Sequence, residues 1–138
     1  MAGKTFTAPF AQTPKTSYGI SVAANTTLTS DPDDTVLVCT AGADGAIVTR
    51  ITVIPRVTLT ASVAYLYLSK DTGTTKILID AVTLAADTAN TWDLPLLVVF
   101  PQYSETTPLR LEAADRLYFG VSVAFTDGVV CRVEWTDF

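Results

Sequence analysis

Between Thr35 and Val53 the chain runs TVLVCT, then AGADGA, then IVTRITV, so two β-branched segments flank a six-residue linker with two glycines. Residues branched at Cβ favour extended backbone, and the glycines mark a tight connection, so the stretch is expected to form two antiparallel strands joined by a glycine-dependent loop. Successive side chains of a strand point to opposite sides. Leu37 and Cys39 then share one side of the first strand, with Val36, Val38 and Thr40 on the other. In the second strand Ile47, Ile51 and Val53 share a side, while Val48, Arg50 and Thr52 point away. One face of each strand is built for a core.

The same period recurs along the chain. A strand is expected over Ile20 to Leu28, and extended segments over Thr58 to Ala61, Leu94 to Phe100 and Leu109 to Glu112. Ala64–Ser69 and Lys76–Leu84 read as a hairpin across KDTGTT, with Leu66 and Leu68 inward and Tyr65 and Tyr67 on the exposed side. The strongest hairpin signal is Asp127-Gly128, because a tight turn there needs positive φ that glycine accepts freely. It separates Leu117, Phe119, Val121, Val123 and Phe125 from Val129, Cys131, Val133 and Trp135, two cleanly alternating apolar sets. About eight short strands with turn residues between them, and no segment of helical period, predict an all-β fold, an antiparallel β-sandwich of jelly-roll-like topology. The expected organisation is an extended N-terminal arm over residues 1–19 and a β-sandwich domain over 20–138.

Composition narrows the function. At 138 residues the chain suffices for one domain with its own core. The apolar runs are too short for a membrane span of about 20 residues, and the N-terminal stretch lacks the apolar centre of a Sec signal, so neither membrane insertion nor Sec export is expected. Net charge is −5 and the nine Lys and Arg are scattered, which argues against a nucleic-acid surface, where clustered cations meet phosphates. Cys39 and Cys131 are expected as buried, reduced thiols.

The chain has no histidine, so a base working near neutral pH would have to be a tuned carboxylate or lysine. The aspartates stand in or beside turns. Asp31, Asp33 and Asp34 raise a calcium site, but they lack the spaced glycine and distal glutamate of a calcium loop and read first as turn formers. No catalytic residue, metal or cofactor is expected, and the chain reads as a non-enzyme.

The arm carries anchors, Phe6 and Phe10, between prolines that keep it extended. Four segments together resemble small head proteins of tailed bacteriophages, the decoration or cement proteins of the capsid. They are APFAQTPK (8–15), TAGADG (40–45), LEAADRL (111–117) and WTDF (135–138). In that pattern a glycine precedes the aspartate where this chain has Ala114, a departure that bears on the turn geometry there. The resemblance implies a virion structural protein, assembled in the host cytoplasm, that binds the major capsid protein on the capsid exterior as a homo-oligomer, with a trimer favoured. Phe6, Phe10, Tyr18, Tyr65 and Tyr67 are the candidate partner-binding residues. The rival expectation is a carbohydrate- or receptor-binding β-sandwich of a phage tail or fibre, using Tyr65, Tyr67, Trp92 or Tyr103 as stacking platforms.

Overall fold

The computed structural model describes residues 13–28, 32, 34–89 and 97–138. Among them are nine strands and no helix: β1 (Thr13–Ser21), β2 (Val36–Thr40), β3 (Ala46–Pro55), β4 (Ser62–Ser69), β5 (Ile77–Leu84), β6 (Val98–Val99), β7 (Leu109–Leu111), β8 (Arg116–Val121) and β9 (Val129–Asp137). One sheet has the order β1-β9-β3-β6, with β7 also on β3, and the other the order β2-β8-β4-β5. Every ladder is antiparallel. Val48, Ile51, Val53, Val129, Cys131 and Val133 of the first sheet bury against Cys39, Ala64, Leu66, Leu117, Phe119 and Val121 of the second. Each large side chain so buried contributes on the order of 1.5–3 kcal/mol.

Two expected hairpins are absent. β2 pairs with β8 and β3 with β9, so the 41–45 loop crosses from one sheet to the other. Gly45 is still required, with φ of 91° and the Leu111 carbonyl 2.6 Å from where a Cβ would stand. Likewise β8 pairs with β2 and β4 while β9 pairs with β1 and β3, so Asp127-Gly128 turns an arch between sheets. The reason is geometric. Two strands with apolar inner faces bury them equally well side by side or opposite each other, and alternation does not distinguish the cases. The β4–β5 hairpin does form.

Of three register shifts in the ladders, the two at Leu37/Cys39 and Val48/Arg50 break the expected parity. The β2–β8 register shifts between Leu37 and Cys39, which leaves Leu37 exposed while Val38 and Cys39 are both buried. The β3–β9 register shifts between Val48 and Arg50, so Val48 points into the core instead of Ile47. An extra residue in one strand moves everything before it to the other face.

β1 begins at Thr13, inside the expected arm, and Asn25–Leu28 is not a strand. Instead the chain after β1 crosses the outer face of the second sheet. Asn25 donates from its backbone to the Val121 carbonyl at 2.7 Å, and a Cβ on Gly120 would meet Asn25 and Thr35 at 3.4 Å. Beside it Lys76 donates to Thr35 at 3.0 Å and lies 4.6 Å above the Tyr118 ring. The Ala114 turn keeps a left-handed geometry, with φ of 61°, despite its Cβ.

Candidate functional site

β1 closes one edge of its sheet, because β9 is its only strand neighbour among the described residues. Its register runs without a break from Thr13 opposite Asp137 to Ser21 opposite Val129. Such an edge offers a row of backbone donors and acceptors to a further chain. Ser17 and Gly19 turn toward β2: the Ser17 hydroxyl donates to the Val38 carbonyl, and Gly19 leaves 2.9 Å between a notional Cβ and Val36 Cγ2. Glycine therefore lets the two edge strands close on each other. On this side of the molecule Tyr18 is 67% exposed, with Val22 and Leu37 also open to solvent.

The start of β1 is clasped to the body. Lys15 Nζ sits 2.7 Å from the buried Asp137 carboxylate, which also accepts from the Gly42 amide at 3.0 Å and the Trp135 indole at 3.2 Å. Burial acts to raise the Asp137 pKa, but the bonds from Lys15 and Gly42 prevail and hold it below the usual carboxylate value. The carboxylate thus fixes the start of β1 on the body.

The candidate tyrosines do not form one surface. Tyr18 stands opposite Arg132 on the first sheet, whereas Tyr65 and Tyr67 belong to the second. Tyr67 is 0% exposed, against expectation, because Asn25 of the covering segment packs over it and donates to its hydroxyl. Burial raises its phenol pKa. Tyr65 is half-buried, its ring 6.3 Å from that of Tyr67 at a tilt of 56°. Tyr103 also packs partly into the core, where burial and then the charge of Asp80 push its phenol up to about 12. Phe6, Phe10 and Trp92 lie outside the described residues, as do Asp31 and Asp33.

Cys39 and Cys131 are free and buried. Burial, with the Asp137 charge second, pushes the Cys39 thiol up to about 12, and burial raises Cys131 as well, so both are poor nucleophiles. No three His, Cys, Asp or Glu side chains gather as a metal site among the described residues.

A cleft of about 660 Å³ lies over β3 and β9, walled by the loop that follows β6. Sequence reading missed it, since it joins Arg50 to Glu134 and to the 101–106 loop, which are remote along the chain. Of its lining, only Tyr103 was marked in the sequence, as a candidate stacking platform. No family model, no curated protein and no solved structure matches the chain.

Proposed function

We propose that the protein is a phage head decoration protein, a non-enzymatic virion component that attaches to the major capsid protein from outside. The observation that carries this reading is the edge strand β1, clasped by Asp137 at its start and continuous with an upstream segment that holds Phe6 and Phe10. A rigid exit point on a stable β body is what an arm needs to reach a neighbouring subunit, because the arm's attachment is then coupled to that of the domain. The strand orders support a jelly-roll connection: consecutive strands β1 to β5 alternate between the sheets up to β4, and β8 and β9 each insert between earlier strands. That architecture recurs in viral capsid and lectin domains. The acidic charge of −5 suits a surface that should not collect nucleic acid.

The test is attachment. Heads lacking the protein are mixed with wild type or with Phe6→Ala/Phe10→Ala, and occupancy is compared. Each phenylalanine contributes on the order of 1.5–3 kcal/mol when fully buried. A combined loss of about 3 kcal/mol weakens attachment roughly a hundredfold. Unchanged occupancy would discard the arm as the attachment device, and failure of wild type to bind any head would discard the function.

A further inference from the structure

The cleft over β3 and β9 has features of a binding site in its own right. The β3 bulge places the successive residues Thr49 and Arg50 on the same cleft, which a regular strand would not do. Opposite Arg50 stands Glu134, so the floor offers a guanidinium donor and a carboxylate acceptor side by side. Tyr103, with Val99 and Pro101, supplies an apolar wall.

The wall is fixed before any ligand arrives. Ser104 Oγ lies 3.1 Å from Thr106 Oγ1 and 3.0 Å from Thr107 Oγ1, and Thr107 donates to the Gln102 carbonyl at 3.1 Å. Tyr103 donates from its backbone to the Phe100 carbonyl at 3.4 Å. A pre-ordered loop spares a ligand the entropy of arranging it.

We propose that this cleft binds a neutral, polyhydroxylated ligand, a short oligosaccharide. The volume of about 660 Å³ lies in the range of small-molecule sites. Arg50 is the lone cation among the described lining residues, faced by Glu105 and by Glu134, whose carboxylate lies 3.7 Å from Arg132 Nη2, so the charges there balance and leave no excess positive charge to draw an anion. Sugar hydroxyls donate and accept at once, matching a lining that mixes hydroxyl, carboxylate and guanidinium groups. The C–H face of a sugar ring suits the Tyr103 wall. No β1 residue is among the described residues that line the cleft, although Thr16 stands opposite Glu134, so a ligand there is tested apart from capsid attachment.

The experiment uses the full chain. A glycan array selects the best neutral oligosaccharide, which is then titrated into ¹⁵N-labelled protein. Expected are amide shifts centred on Thr49, Arg50, Ser104, Thr106 and Glu134, and affinity at least about tenfold lower for Arg50→Met. Arg50 is exposed, so the variant should keep the wild-type melting temperature. Glu134→Gln, also at the surface, is the second variant and should weaken the same ligand. An array without a neutral hit, shifts centred elsewhere, or unaltered affinity in both variants overturns the proposal.

Discussion

The β4–β5 and β8–β9 connections span 70–76 and 122–128, equal lengths between strands of similar alternation, yet one closes a hairpin and the other an arch. The difference lies in where each loop finds its hydrogen bonds. In the hairpin loop Ser69 Oγ donates to Asp71 at 2.9 Å, and Asp71 Oδ1 accepts from the Thr75 amide at 2.8 Å. Gly73 donates to Ser69 Oγ at 2.8 Å. In the arch the Ser122 amide donates to Val63, that of Phe125 to Val22, and that of Arg56 to Gly128. The first loop bonds mostly within itself, with Lys70 donating to Asp115 and the Thr72 carbonyl accepting from Arg116; the second has one local bond, the Gly128 amide to Phe125, and is completed by three other parts of the chain. A self-satisfied turn can be recognised from neighbouring residues. A turn completed at long range cannot.

If that contrast is right, the arch should tolerate less change than the hairpin loop. Gly128 has φ of 77°, and a Cβ there would meet Ile20 at 2.6 Å, Val22 at 2.9 Å and the Ser21 carbonyl at 3.0 Å. Gly128→Ala should cost on the order of 3 kcal/mol or more, combining left-handed strain with a clash against the end of β1 and Val22. Gly73 also has positive φ, at 94°, but the three atoms nearest its notional Cβ all belong to the Tyr118 side chain rather than to backbone. Gly73→Ala should cost about half as much. Thermal unfolding of the two variants decides it, and equal losses would break the comparison.

A third connection sharpens it. The 112–115 turn is partly local, with the Asp115 amide donating to Glu112 at 3.2 Å and the Glu112 amide to Asp115 Oδ2 at 2.9 Å. It is partly distant, since Ala114 donates to Gly42 at 3.3 Å and Ala41 to Asp115 at 2.8 Å. These bonds hold Ala114 at its φ of 61°, a conformation costing an alanine about 1–2 kcal/mol. Ala114→Gly should therefore stabilise the protein by roughly 0.5–1 kcal/mol, after subtracting the chain entropy of glycine. A rise of a few degrees in melting temperature is the expected reading. A fall would mean the turn relaxes when freed.

The smallest effect belongs to the hairpin loop. The Thr75 amide, foremost among the bonds to Asp71, holds its carboxyl below the ordinary value. Because the folded pKa is depressed, this support is present above the unfolded pKa of about 3.9 and is lost as pH falls through the folded value. Asp71 is exposed, so melting should barely register the change, whereas a carbon-detected NMR titration should show a midpoint below 3.9. An ordinary midpoint would show that the loop is not wired as described.

Much of the fold was legible because alternation reports burial. Leu117, Phe119, Val121, Val129, Cys131 and Val133 all reach the core as the sequence pattern predicts. Leu37 and Val48 do not follow it, because a bulge is one inserted residue that hydrophobicity does not mark. Tyr67 fails for another reason: its side of the strand is outward, but Asn25 closes over it from outside the sheet. Partner choice and covering segments depend on contacts between distant residues, and so does the cleft joining Arg50 to Glu134 and Tyr103. Tyr18 was picked out as part of an arm and is exposed on a strand, so its availability survives the change of setting.

The unbroken pairing of β1 with β9 gives the domain a mechanical direction. Ladder hydrogen bonds lie across the strands. Tension along the β1 axis, drawn from the chain before Thr13, is therefore shared by every bond from Thr13–Asp137 to Ser21–Val129 at once. Tension across the sheet meets them one after another, beginning with the Lys15–Asp137 clasp. An arm stretched in line with its strand would hold as a tether, and the same arm pulled sideways would peel like a zipper.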